Sequence, residues 1–302
     1  RKESSAASDV YKRQVYRHLD IGSAKPDATT LTEHPHRLID IRDPAEAYSV
    51  AEFLKDATEQ MAEITAAGRI PLLVGGSMLY FKILLKGLAD LPEANQGVRD
   101  QIQQRADEFG WPSLYDELKQ IDPQTAAKIH PNHSQRIQRA LEVYQLTGMS
   151  MSHLQAATSN NGVLDYYSVV QFSLTFDDRA LLHRRIEQRF EQMMSSGLLA
   201  EVVGLYERED LNTDLPSMRA AGYQQIWQHL DGQCTLEEAV ERSIVASRQL
   251  AKRQITWLRN WPNAHEIQVD DGQTYISLEN SCKQCLKILS QHSILRLSLI
   301  HI

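Results

Sequence analysis

The sequence predicts an α/β protein whose parallel-sheet core is interrupted by a helical insertion, and three observations carry that prediction. Ile70 to Val74 is a short apolar run, as expected of a strand buried on both faces of a parallel sheet. The segment before it, Val50 to Gly68, has helical periodicity, so helix and strand make one winding unit of a doubly wound sheet. After Gly87 strand character vanishes until Val169, and helix-period segments follow one another instead.

The elements follow in order. Residues 1–12 (RKESSAASDVYK) are polar and aperiodic, and residues 295–302 (LRLSLIHI) are unrelated to the helix pattern before them. Both resemble sequence carried in from outside the gene and are left out of the fold. Asp20 to Pro26 is a turn-rich segment, Arg37 to Ile41 a short strand, and Asp43-Pro44 a turn. Ser49 with Glu52 forms a capping box. The helix behind it aligns Val50, Phe53, Leu54, Ala57, Met61 and Ile64, and stops at Gly68. Pro71 is tolerated at the start of the next strand. Gly75-Gly76 ends that strand, and Ser77 can cap a helix from Met78 to Leu85. A strand, a glycine turn and a helix N-terminus together offer backbone N–H groups to an anion, or form an ordinary βα turn.

Gln96 to Glu108, Pro112 to Gln120 and Ser134 to Leu146 each carry an apolar stripe, placing the insertion at 90–165 and the core at 13–89 and 166–290. Val169 to Phe176 alternates as a half-buried strand. The helix from Arg179 to Ser196 turns Leu181, Ile186, Phe190 and Met193 inward. It projects Arg185 and Arg189 together, with no carboxylate three or four residues from either.

Composition removes several classes. No run approaches the ~18 apolar residues of a membrane span, and three cysteines, one unpaired by arithmetic, suit a reducing cytoplasm. Cys282 and Cys285 form a lone CxxC with no second pair, so no metal ligands are assigned. The formal charge of −7 excludes a protein coated in basic residues but not a local basic groove. Ser243 to His265 is such a stretch: Arg248, Lys252, Arg253 and Arg259, no acidic residue, and Trp257 and Trp261 interleaved. Basic side chains can hold phosphates while an indole face stacks a base; a packed amphipathic helix with tryptophans in the core is the alternative.

The stretches LLVGGSMLYFKILLKGL, DIGSAKP, HRLIDIRDP, IHPNHSQRIQRALEVYQLTG, RIEQRFEQMMSSGL and LAKRQITWLR resemble the motifs of bacterial tRNA dimethylallyltransferases, the tRNA isopentenyltransferase family. The resemblance runs from Arg13 to about Trp261. It implies a P-loop NTPase-like core with an inserted helical domain. It also implies magnesium-assisted transfer of a dimethylallyl group from dimethylallyl diphosphate to N6 of adenine 37 in tRNA, by a cytoplasmic monomer. Carried over by position, Ser77 and Arg99 contact the reacting nucleotide, and Gly75, Gly76 and Arg189 hold the diphosphate. Gln14 lies near the target base. The tRNA contacts implied are Gln135, Arg136, Ile137, Gln138 and Arg139, then Arg219, Ala220, Ala221, Gly222, Tyr223 and Gln224. Lys252, Arg253, Gln254, Ile255, Thr256, Trp257, Leu258 and Arg259 complete them. His133 stands where the family has the aspartate of IHPND.

Two departures matter. The first strand and the glycine-rich phosphate loop are expected before the first matching residue and are missing. Tyr11 and Lys12 occupy the Asp-Ser positions of DSRQVY, so the general-base aspartate is absent. A phenol with a pKa near ~10 is a poor proton acceptor at neutral pH. This copy is therefore expected to be inactive. The other readings are an RNA-binding fragment without catalysis and a small P-loop kinase, although a kinase has no need of the basic tryptophan helix.

Overall fold

The structure, a computed structural model, describes residues 13–157 and 162–292 together with the backbone of Ala7–Asp9. The elements are β1 (Ala7–Asp9), α1 (Ala28–Glu33), β2 (His36–Arg37), α2 (Val50–Ala66), β3 (Leu72–Val74), α3 (Met78–Lys86), α4 (Gln96–Phe109), α5 (Trp111–Ile121) and α6 (Pro123–Ala126). They continue with α7 (Ser134–Thr147), α8 (Met151–Ala157), β4 (Gln171–Thr175), α9 (Arg179–Ser195), α10 (Leu198–Tyr206), α11 (Tyr223–Leu230), α12 (Leu236–Leu258), β5 (Ala264–Gln268) and α13 (Leu278–Leu289). The chain divides into two compact units, Arg1–Ile83 with Tyr166–Ile302, and Leu84–Asp165.

In the first unit β1 lies between β2 and β3 in a parallel sheet, with Ser8 in register with both Arg37 and Leu73. No element was expected over residues 1–12. The backbone of Ala7–Asp9 is nevertheless a strand, because it is paired on both edges rather than because of any side-chain pattern. β2 is shorter than the expected strand to Ile41: Leu38 and Asp40 have φ of +63° and +56°, a left-handed backbone that cannot continue a strand. That segment bonds to the 14–17 turn instead, through Asp40 N–H to Gln14 O at 3.1 Å and Arg42 N–H to Val15 O at 2.9 Å. β3 begins after Pro71, which has no N–H for the ladder. Its expected burial on both faces does not hold, since Leu72 and Val74 are each 47% exposed on one face of the pleat.

Helix α2 has the reciprocal capping box, Glu52 N–H to Ser49 Oγ at 3.1 Å and Ser49 N–H to Glu52 Oε2 at 2.7 Å. It buries Phe53, Ala57, Met61 and Ile64, and Phe53 stacks on Tyr80 of α3 at 4.3 Å. Gly68, at φ +70°, turns the chain out of the helix. Helices α9 to α12 pack through Leu181, Phe190, Leu198, Val202, Ile226 and Ala239, all buried. β4 pairs in parallel with β5, forming a second small sheet.

The second unit is helical. Ile102 and Ala106 of α4 meet Leu114 and Leu118 of α5 and Ile137, Ala140 and Leu141 of α7 in one apolar core. Asp122 is buried and joins two elements, accepting from Thr125 N–H and Ser152 N–H at 2.9 Å each. Among the described residues no helix is long and apolar enough to cross a membrane.

At the start of α7 the N-cap is His133, and its side chain makes no capping hydrogen bond. His133→Asp should therefore stabilise the helical unit by about 1 kcal/mol, through a new acceptor for first-turn N–H groups and a favourable charge at the helix N-terminus. Slower hydrogen exchange in the first turn of α7 is the expected readout; equal exchange in both proteins would remove the argument.

Candidate functional site

In the first unit the glycine turn and the basic helix meet. The Gln254 side chain of α12 donates from Nε2 to the Gly76 carbonyl at 3.0 Å. A Cβ at Gly76 would run into that same amide nitrogen, so a larger residue there would push the end of the Gln254 side chain off its hydrogen bond. Gly75 and Ser77 flank this contact and are half-buried, and the Ser77 carbonyl accepts the Tyr80 N–H at 2.8 Å as α3 begins. Gln254 is thus committed to the turn, and Ile255 and Leu258 are half-buried beside it. Lys252, Arg253, Thr256, Trp257 and Arg259 are exposed. Spacing of one and four residues aligns Lys252, Arg253, Thr256 and Trp257 on one face of α12.

Trp257 is 40% exposed, and the ammonium of Lys82 on α3 stands 5.9 Å from the centre of its ring. Trp261 is fixed, its Nε1 donating to Gln171 Oε1 of β4 at 2.8 Å. Arg248 departs from the expected basic surface: its Nη2 donates to Glu187 Oε2 at 3.0 Å, a pairing across α12 and α9. Arg185 is also engaged, its guanidinium lying 5.4 Å from the Tyr275 ring centre.

The 13–26 segment forms a second part of the site. Gln14 is buried, and its Nε2 donates to the carbonyls of Ser23 and Ala24 at 3.0 Å each. Its Oε1 is buried and has no partner among the described residues. The Glu201 carboxylate of α10 accepts three successive N–H groups, from Asp20, Ile21 and Gly22 at 3.1, 2.7 and 3.1 Å. Tyr223 of α11 donates its hydroxyl to the same carboxylate at 2.6 Å. A Cβ on Gly22 would stand 2.6 Å from the Tyr223 ring, so the turn and the tyrosine fit only with glycine there. Burial, and then the negative Glu201, push the Tyr223 phenol far up and keep it a donor. Burial also lowers the Arg13 guanidinium; Tyr223 opposes that effect and the positive Arg189 adds to it. Arg189 itself is exposed on α9. Tyr11 lies outside the described residues.

RAAGYQ divides by burial. Arg219 is exposed and pairs loosely with Asp214 at 3.5 Å, and Ala221 and Gln224 are half-buried. Ala220, Gly222 and Tyr223 are buried and hold the stretch in place, with Gly222 at φ +96° and its N–H on Gln225 Oε1 at 2.8 Å.

In the helical unit, Gln135 and Arg136 of α7 are exposed and Ile137 is a core residue. Arg99 and Arg139 converge on Glu142, which is fully buried. Arg99 donates from Nε at 2.9 Å and from Nη2 at 3.3 Å, Arg139 from Nη1 at 2.6 Å, and the Asn95 N–H adds a fourth bond at 2.7 Å. Arg139 also reaches the Pro92 carbonyl at 2.6 Å, and Gln138 donates to the Arg99 carbonyl at 3.2 Å. Burial pushes the Glu142 carboxyl up, but the bonds from Arg99, Arg139 and Asn95 outweigh it and hold it below the ordinary glutamate value of 4.5. Glu142, Glu201, Lys82 and Arg13 were not singled out from the sequence. The one signal for Glu142 was its position three residues after Arg139 in an otherwise apolar stretch, ALEVY.

Comparison with known proteins places these features in a family. The model of the IPP transferase family matches residues 14–261. A tRNA dimethylallyltransferase 2 from Hahella chejuensis is 52% identical over 270 residues, covering 86% of this chain and 81% of the relative. The solved structure of the full-length tRNA isopentenylpyrophosphate transferase of Bacillus halodurans is 35% identical, with a TM-score of 0.68, and covers 100% of this chain and 92% of its own. A eukaryotic dimethylallyltransferase acting on tRNA shares the fold, with a TM-score of 0.77 at 22% identity, over 96% of this chain and 73% of its own.

Two outcomes follow from the geometry. Gly76→Ala should cost about 1–2 kcal/mol by displacing the Gln254 amide, and the Gly76→Ala, Gln254→Ala double variant should lose less than the sum of the singles in urea unfolding. Strict additivity would show that the contact contributes nothing. Because the Glu142 carboxyl is held low in the folded state, its pairing stabilises the protein above the ordinary glutamate range. That contribution should fade as pH falls below 4.5. Urea titrations at neutral pH and at pH ~3.5 should show a smaller loss in Glu142→Gln than in the parent; equal losses would contradict the assignment.

Proposed function

The chain belongs to the IPP transferase family, and from that premise we propose that it transfers a dimethylallyl group from dimethylallyl diphosphate to N6 of adenine 37 in tRNA. The observation that carries the reading is the joining of the glycine turn to the basic, aromatic face of α12 by the Gln254–Gly76 bond. It supports the reading because the start of α3, a type of position that favours anions, then adjoins a helix carrying exposed basic and aromatic side chains.

In the reaction the N6 lone pair forms a bond to the allylic carbon, and the bond from that carbon to the diphosphate oxygen breaks. The diphosphate leaves with the electron pair, and the N6 proton passes to water, since Tyr11 stands where the family has its aspartate. Arg189 takes the developing diphosphate charge. Ser77 and Arg99 contact the reacting nucleotide, which must leave its stack to be reached. Lys252, Arg253 and Arg259 hold phosphates while Trp257 offers a stacking face. Magnesium is implied by the family resemblance. Among the described residues, however, no three acidic, histidine or cysteine side chains converge to hold a cation, so no step is assigned to it. The proposed setting is a monomer in the cytoplasm.

A second reading, RNA binding with little turnover, is favoured by Tyr11 at the position of the general base. One assay separates the two: incorporation of labelled dimethylallyl into unmodified tRNA, with binding measured alongside. Lys252→Glu with Arg253→Glu should weaken tRNA binding, and the loss should shrink as salt rises. Unchanged affinity in that folded variant would remove the α12 interface. In a chain that also carries a GxxxxGKT loop ahead of these residues, Tyr11→Asp with Lys12→Ser should raise turnover by ~10²- to 10⁴-fold, the usual worth of a general base. Equal turnover of the two loop-bearing proteins would show that the proton leaves by another route.

A further inference from the structure

We propose that Glu142 is a positioning residue for RNA: buried in the helical unit, it fixes Arg99 and Arg139 so that the guanidinium N–H groups they do not spend on it or on Pro92 form a preorganised clamp for the phosphate backbone. The inference rests on the tRNA reading above and assigns a role to a residue outside the expected set.

Glu142 is fully buried, while Arg99 and Arg139 keep 35% and 29% of their side chains exposed. The carboxylate accepts Nε and Nη2 of Arg99 along one edge of that guanidinium. Its own burial, and the partial exposure of Arg99, direct the remaining Nη1 side of the fork away from the acid. Arg139 is held twice, by Glu142 and by the Pro92 carbonyl. The Gln138 amide on the Arg99 carbonyl fixes the backbone of α4 beneath the pair. Two arginines and one glutamate leave one net positive charge, and the exposed Arg136, one turn before Arg139 on α7, adds a second.

An arginine in this state has already lost most of its rotamer freedom, so a phosphate that docks on its free edge does not have to order it. A buried pair with no ligand-facing role needs no exposed fork. Here the acid is sealed and the cations are not.

The test compares tRNA binding by full-length variants, with unmodified tRNA as the probe. Glu142→Gln makes the protein one charge more positive. A purely electrostatic role for the cluster therefore gives equal or tighter binding. Positioning gives the opposite sign, about tenfold weaker binding, with the slope of log affinity against log salt shallower by about one phosphate contact. Equal or tighter binding by a folded Glu142→Gln protein overturns the proposal. Should Glu142→Gln fail to fold, Arg99→Lys decides. It keeps the charge but lacks the second edge, so about tenfold weaker binding is expected and unchanged binding overturns the proposal. The Arg99→Ala, Arg139→Ala double variant distinguishes the two levels of failure. If it binds tRNA as the parent does, this unit does not contact RNA and the functional reading of Arg99 and Arg139 falls with the proposal. If it binds weakly while Glu142→Gln does not, only the positioning role is lost.

Discussion

A carboxylate seated on three consecutive backbone N–H groups holds the first unit in register. Glu201 takes the N–H groups of Asp20, Ile21 and Gly22 and the hydroxyl of Tyr223, so each oxygen has two donors. Successive N–H groups in a turn make a concave anion seat, and the protein fills it with its own side chain. With that turn pinned, the carbonyls of Ser23 and Ala24 face the Gln14 amide, and Lys25 reaches Asp40 at 2.6 Å and the Tyr16 carbonyl at 3.0 Å. Removing the carboxylate would leave four donors to find other partners, a larger cost than the net worth of any one bond. The placement of Gln14 therefore depends on a residue on α10, far away in sequence.

The same arrangement recurs in the helical unit around Glu142, and together the two explain how an acidic chain can serve a polyanion. The formal charge is −7, yet these two acids are spent on internal bonds, and Glu187 is spent on Arg248. The cations left facing outward, Lys252 and Arg253 on α12, Arg259 just after it and Arg136 on α7, lie in stretches with few acids. Local field depends on which charges face solvent, so net charge says little about the partner.

Much of this was legible in the chain because it is carried by local periodicity. The capping box at Ser49, the buried face of α2, the stripes of α4, α5 and α7 and the glycine turn before α3 all rest on neighbours within about four residues. What escaped was decided at a distance. Leu38 and Asp40 adopt left-handed backbone without glycine in a segment whose Asp40 and Arg42 N–H groups bond to the 14–17 turn. Ala7–Asp9 have no strand pattern and are ordered by two neighbouring strands. Gln254 and Arg248, read from the sequence as members of one basic stretch, serve packing: one clamps Gly76, the other closes on α9. Motif resemblance marked RAAGYQ as one stretch, but only burial separated Tyr223, packed inside against the Asp20 to Gly22 turn, from its exposed neighbour Arg219.

Gly162, where the helical unit ends, has consequences for the order of synthesis. A Cβ there would collide with the Leu84 carbonyl and stand 2.6 Å from the Gly87 nitrogen, so the chain leaves this unit against the point where it entered. The 82 residues between Leu84 and Asp165 are continuous and close on themselves. At ~5–20 residues per second the ribosome delivers them within seconds, and they can fold as they emerge. The earlier segment cannot do the same: its turn at Asp20 to Gly22 has to wait for Glu201, about 180 residues downstream. The late-made half thus arrives with a folded module already behind it and the Asp20 to Gly22 turn still without its acceptor. The interval between those two events is when a chaperone would have most to hold.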